Sequence, residues 1–293
     1  MQPLVIKLNK LLIAVLITAT LFSCKKDTAV TGTPTIAAQT TPDVAYGSDA
    51  KQKMDIYLPA NRSVTTTKVM ILIHGGAWVQ GDKSDFTSQI DTLKKRFPDY
   101  AIFNINYRLA AFPANLFPTQ EMDTKAAVEF VFANRATYLV SDKFVLVGGS
   151  AGGHLALLQA YKYRTLIKIK AVVDFFGPTD MVDLYNNPGT IPQAAIAALM
   201  SGTPTSNAPL YQSSSPIQYV DALNCPTIIL QGGMDPLVNA TRQSQALANK
   251  LTLFNVTNQY VLYPTLGHGD VWTAANYTDA YNKVGVFLAA NVQ

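Results

Sequence analysis

Val145-Leu-Val-Gly-Gly-Ser-Ala-Gly-Gly153 is the stretch whose reading decides the fold. It passes from an apolar, strand-like run into a helix-forming run, with Gly148-x-Ser150-x-Gly152 at the junction. Such a turn must hold its serine in a strained backbone conformation with the hydroxyl exposed. Side chains two positions to either side would clash, which explains glycine at 148 and 152. The helix behind the turn offers free amides and a positive dipole end to developing negative charge. G-x-S-x-G alone is weak, because glycine-rich turns are common. The strand before it and the helix after it make it specific. The competing readings are a structural turn with an idle serine and a phosphate loop. No G-K-[ST] follows, which counts against the phosphate loop.

Outward from this junction, strand-like and helix-like runs alternate. The spacing predicts strands at Lys53–Leu58, Val69–Ile73, Tyr100–Tyr107, Phe144–Val147, Ile169–Phe176, Thr227–Leu230 and Gln259–Tyr263. It predicts helices at Ser84–Phe97, Glu121–Asn134, Ala151–Tyr163, Thr241–Leu251 and Trp272–Ala290. Val69–Ile73 is continuously apolar, as expected of a strand covered on both faces. This alternation implies an α/β class: a mainly parallel, doubly wound sheet, with a barrel as the competing architecture. Residues 180–223 break the rhythm with Pro, Ser and Asn and one helix near Gln193–Met200. They read as a small cap insertion over the carboxyl ends of the strands.

Composition narrows the function classes. The 293 residues are 48% hydrophobic, which excludes global disorder. Net charge is +4, too small and scattered for nucleic acid. Two cysteines exclude a disulfide scaffold and a four-thiolate metal site. No H-E-x-x-H or clustered His/Cys set is present, so no metal or other cofactor is expected. Cys225 reads as a small core residue.

The N-terminus reads as a targeting segment. Lys7 and Lys10 precede an apolar run from Leu11 to Phe22, about 18 Å of helix and too short for a hydrocarbon core of about 30 Å. Leu21-Phe22-Ser23-Cys24 resembles a bacterial lipoprotein signal, which implies cleavage before Cys24, its lipidation, and anchoring to the extracytoplasmic face of a membrane. An ordinary export signal and an uncleaved anchor are the other readings. Residues 25–42, rich in Thr, Ala and Pro, read as a tether, and the folded domain is expected from residue 43. Without Lys7 and Lys10 the balance falls to 21 basic against 19 acidic residues.

A serine nucleophile needs a base, almost always histidine, and the chain has three. His74 opens Ile73-His-Gly-Gly-Ala-Trp78 and reads as structural. His154, four residues beyond Ser150, packs beside its helix. His268, in Leu266-Gly-His-Gly269, is the expected general base. Asp235 follows the Thr227–Leu230 strand and is the expected carboxylate partner, giving the chain order Ser150, Asp235, His268. Asp270 and Asp180 are rivals, and Asp235 itself could be a turn residue. The consecutive glycines after His74 suit an oxyanion hole, with amide donors expected from Gly76, Ala77 and Ala151. Gly75, Trp78 and Gly149 are the expected pocket lining.

Together these motifs, with Asp55-Ile-Tyr-Leu-Pro59, Tyr107-Arg-Leu109, Phe176-Gly-Pro-Thr-Asp180 and Ser215-Pro-Ile-Gln-Tyr219, resemble the α/β-hydrolase esterases over residues 44–290. They are similar to BD-FAE-type carbohydrate esterases and, beyond them, to hormone-sensitive-lipase-like esterases. H-G-G-A-W rather than H-G-G-G leans toward the BD-FAE and arylformamidase-like side. The resemblance implies ester hydrolysis through an acyl-enzyme, often on acetyl or feruloyl groups of polysaccharides. An amidase or arylformamidase with the same triad, and a catalytically dead binding module, are the alternatives. Small-molecule or polysaccharide esters are the expected partners, and the oligomeric state is left open.

Overall fold

The computed structural model describes residues 35–164 and 167–293. The expected signal and the lipidation at Cys24 lie outside them. Among the described residues, no helix is long and apolar enough to cross a membrane.

Eight strands form one open sheet: β1 Gln39–Ala45, β2 Lys53–Leu58, β3 Lys68–Ile73, β4 Tyr100–Ile105, β5 Phe144–Gly149, β6 Ile169–Phe175, β7 Thr227–Gly232 and β8 Asn258–Tyr263. Their order is β1-β2-β4-β3-β5-β6-β7-β8. β1 and β2 enter antiparallel, and every pair from β4 onward is parallel. β1 and β8 are unjoined edges, so the sheet is doubly wound rather than a barrel.

The helices are α1 Thr87–Arg96, α2 Thr119–Ala133, α3 Arg135–Tyr138, α4 Ala151–Lys162, α5 Met181–Asn186, α6 Gln193–Leu199, α7 Ala208–Ser213, α8 Ala246–Leu253 and α9 Ala274–Asn291. They cover both faces, and the alternation along β3 shows it. Val69, Ile71 and Ile73 join one core layer with α2, α4 and α8, whereas Met70 and Leu72 join the other with α1 and α9. Burial on both faces is why Val69–Ile73 in β3 and Phe144–Val147 in β5 are apolar runs rather than alternating. α4 is buried from Ala151 to Tyr161, as expected of a helix without a polar face.

Three expectations need correction. The stretch read as tether holds β1, which pairs with β2 from Gln39↔Leu58 to Ala45↔Lys53. An edge strand lying largely in solvent needs backbone partners and no apolar alternation, so hydrophobic patterning passes over it. The predicted helix at Thr241–Leu251 opens as a π-helical segment over Ala240–Gln245 before α8. Residues 180–223 hold α5, α6, α7 and a 3-10 turn at Pro216–Tyr219, where one helix was expected. α5 and α7 are six residues each, too short for a helical period to stand out.

Candidate active site

β5 delivers Ser150 to the sheet's carboxyl edge with φ 55° and ψ −122°, a backbone state that L-residues rarely adopt. Serine at a helix start normally spends its hydroxyl on capping, but Ser150 makes no such bond to α4. The turn closes because its flanking residues lack side chains. A Cβ on Gly152 would lie 2.0 Å from the Ile73 carbonyl oxygen, and one on Gly148 would lie 2.2 Å from the Gly152 backbone. The Ser150 amide is held by the Phe175 carbonyl at 2.8 Å.

His268 follows β8 and Asp235 follows β7, so the two loops are neighbours. His268 Nδ1 lies 2.7 Å from Asp235 Oδ2, and both side chains are nearly sealed from solvent. Asp235 is acceptor-only when ionised, so Nδ1 carries the proton and Nε2 keeps its lone pair. Asp235 Oδ1 also accepts the Leu237 and Val238 amides at 2.8 and 2.9 Å, and Oδ2 accepts Gln231 Nε2 at 3.0 Å. Asp235 is therefore both turn former and histidine partner. Burial pushes its pKa upward, but the His268 bond and charge and the two amides outweigh it and hold the carboxyl below its ordinary value. The rivals serve otherwise. Asp180 caps α5 through Val182 N and Asp183 N, and Asp270 is exposed.

The loop after β3 lies directly against the serine. A Cβ on Gly75 would stand 3.3 Å from Ser150 Cβ. Gly76, Ala77 and Trp78 all have positive φ, at 100°, 49° and 64°. The Gly76 carbonyl accepts Val79 N and Gln80 N, while the Gly76 and Ala77 amides have no internal acceptor among the described residues. Ala151 opens α4, where the first amides have no partner within the helix. Ala151 thus directly follows Ser150, while Gly76 and Ala77 directly follow Gly75, the residue of that loop that abuts Ser150.

Both other histidines are structural. His74 Nδ1 bonds Gly75 O at 2.8 Å, and its ring stacks on Tyr107 at 4.2 Å. His154 is fully buried, and burial lowers its pKa to about 4. Trp78 is a correction: its indole is 3% exposed and packs on Phe117 and His154, so it lies in the core rather than on an open pocket wall. Gly75 and Gly149 remain half-exposed beside Ser150. Cys225 packs at the core margin, and burial raises its thiol to about 12.

Sequence reading missed two supports. Phe176, with φ 45°, sets its ring 4.7 Å from the His268 ring. Gln231 buttresses Asp235 from within β7. The Phe176–His268 contact joins the loops after β6 and β8, far apart in sequence, whereas Gln231 reaches Asp235 across four residues, a spacing with no recognisable motif. A polar cleft of about 370 Å³ lies where the insertion meets the Asp235 loop, lined by Asn187, Gly189, Asp235, Asn239 and Arg242 among others.

This sheet order, with a serine elbow after β5 and an Asp–His pair after β7 and β8, defines an α/β-hydrolase. The BD-FAE family model matches residues 54–251, and the chain belongs to that family. The chain is 28% identical, over 76% of its length, to the probable carboxylic ester hydrolase LipM of Mycobacterium tuberculosis. It spans 54% of that relative's length. Among solved structures it is similar to the bifunctional GH43-CE of Bacteroides eggerthii, with TM-score 0.75, 27% identity, and coverage of 87% of this chain and 35% of that one. It has the fold of a truncated carbohydrate esterase from gut microbiota, with TM-score 0.70, 24% identity, and coverage of 85% and 95%.

Proposed function

We propose that this protein is a serine carboxylesterase that hydrolyses short-chain or sugar-linked esters, of acetyl or feruloyl type, through an acyl-enzyme. The observation that carries this reading is the Ser150 elbow. It presents a hydroxyl not spent on capping, at the same carboxyl edge of the sheet as an Asp235–His268 pair whose Nε2 lone pair is left bare. His268 takes the Ser150 proton as Oγ attacks the ester carbonyl, and the Gly76, Ala77 and Ala151 amides receive the oxyanion. His268 then protonates the leaving alkoxide. Water, activated by the same imidazole, releases the acid. Asp235 holds the tautomer and steadies the imidazolium. Ser150 Oγ is not hydrogen-bonded to His268 here, and such contacts tighten when substrate arrives.

Ester chemistry is supported by the family and by the relatives' own descriptions. The sugar-linked part leans on the likeness to the bifunctional GH43-CE and on the fold shared with a truncated carbohydrate esterase. A polar cleft beside Asp235 is in keeping with a hydroxylated alcohol group. Extracytoplasmic attachment of the protein to a bacterial membrane through a lipid on Cys24 is the companion proposal, and it rests on sequence. Cys24→Ser is expected to move the protein out of the membrane fraction. Unchanged fractionation would refute it.

Assay of wild type and Ser150→Ala on p-nitrophenyl acetate, acetylated xylan, methyl ferulate and N-formylkynurenine tests the enzymatic reading. Wild type is expected to cleave the esters, and Ser150→Ala to lose about 10³-fold or more. A preference for N-formylkynurenine would replace it with the arylformamidase reading.

A further inference from the structure

His154 makes a connection that the steps above do not use. It sits one turn along α4 from Ser150, and its amide bonds the Ser150 carbonyl at 3.1 Å. Its ring bridges two other segments. Trp78 Nε1 donates to His154 Nδ1 at 3.3 Å, and His154 Nε2 lies 2.7 Å from Ser214 O in the insertion. Indole nitrogen can only donate, so Nδ1 is bare, Nε2 carries the proton, and the imidazole is neutral with both nitrogens engaged. Trp78 and Phe117 pack against the ring with centroids at 5.1 and 5.6 Å.

Trp78 matters because of its backbone. Ala77 and Trp78 are consecutive non-glycine residues in the left-handed region. Each is strained and persists only where surrounding structure dictates it. Two anchors hold Trp78 in that state: its carbonyl accepts Ala110 N at 2.9 Å, and its indole is held by His154. The direction of the Ala77 amide depends on this turn.

We propose that His154 is a positioning residue for the oxyanion hole: through the Trp78 indole it fixes the strained Ala77–Trp78 turn relative to the Ser150 helix. Its second bond, to Ser214 O, ties the same helix to the insertion. This proposal rests on the esterase reading, so its test includes a readout independent of activity.

The variants separate the two bonds. In His154→Asn, Oδ1 replaces the Nδ1 acceptor and the donor to Ser214 is lost. In His154→Gln, the amide nitrogen replaces the Nε2 donor and the acceptor for Trp78 is lost. Trp78→Phe removes the indole donor. With p-nitrophenyl acetate, His154→Gln and Trp78→Phe should lose about 10- to 100-fold in kcat and kcat/KM alike, with KM held within about twofold. His154→Asn should retain activity within about threefold, and the His154→Gln/Trp78→Phe double variant should lose no more than either single change. The chain has two tryptophans, so its indole N–H NMR spectrum should show two signals. The Trp78 signal should shift in His154→Gln and stay in His154→Asn. Wild-type kcat in His154→Gln, additive losses, or an unmoved indole signal would overturn the proposal. Absent ester hydrolysis with the indole shift intact would instead count against the esterase reading.

Discussion

Phe176 rests its ring against the His268 imidazole, with centroids 4.7 Å apart and planes tilted by 56°. The contact needs room that only glycine leaves: a Cβ on Gly269 would fall 2.3 Å from Phe176 Cζ. Phe176 itself is held in a left-handed state, with its amide on Leu230 O at 2.8 Å. The ring therefore sets where the imidazole stands once Asp235 has set which nitrogen is bare. Phe176→Leu keeps the apolar bulk and loses the flat face. It should lower kcat by about 10-fold with little change in KM, because a small misplacement of a reacting group is costly. Steady-state kinetics on an acetyl ester checks this, and unchanged kcat would show that Phe176 is packing alone.

The limits of sequence reading follow from contacts of this kind. β3 and β5 were legible because burial on both faces makes Val69–Ile73 and Phe144–Val147 continuously apolar. The strained turn at Ser150 and the Asp235–His268 pair were legible because glycine-flanked turns and a short histidine inventory leave few candidates. β1 was hidden because an exposed edge strand carries no hydrophobic pattern. Phe176 and the Trp78–His154 pair were hidden because their roles lie between elements distant in sequence, and Gln231 because a buried glutamine in a strand carries no motif of its own. The last glycine of the Gly148–Gly153 run is a further example. A Cβ on Gly153 would fall 2.2 Å from Asp174 Oδ1, a partner on the neighbouring strand.

That carboxyl carries a pH prediction. Asp174 is buried, accepts Gly177 N at 3.0 Å, and its Oδ2 has no partner among the described residues. Burial raises it to about 8, against the Gly177 bond, which lowers it. Between the ordinary carboxylate value of about 3.9 and pH 8, the folded protein keeps a proton that the unfolded chain releases. Stability therefore falls as pH rises through that window, by up to about 1.4 kcal/mol per pH unit. Asp174→Asn removes this dependence. The Tm of the variant minus that of wild type should grow from pH 4 to pH 8 and then level off. A difference that stays constant with pH would refute the assignment.

Asp235 has the opposite sign. Its carboxyl is held below its ordinary value, so its contribution to stability is present above about pH 4 and is lost as pH falls through the folded value. Asp235→Asn should flatten the acid side of the stability profile. It should also cut kcat by about 10³- to 10⁴-fold, because an amide no longer selects the tautomer with Nε2 bare. Thermal melts at low pH and ester hydrolysis at neutral pH check the two halves separately. An Asp235→Asn enzyme of near wild-type kcat would return the partner role to another carboxylate.

Ser150 as nucleophile is the assignment on which the proposed chemistry stands. The most direct measurement is reaction of the whole protein with a fluorophosphonate, followed by peptide mapping of the adduct. One stoichiometric label on Ser150 is expected, with loss of ester hydrolysis in step with labelling and no label in Ser150→Ala. A protein that hydrolyses esters yet carries the label elsewhere, or carries none, would contradict it.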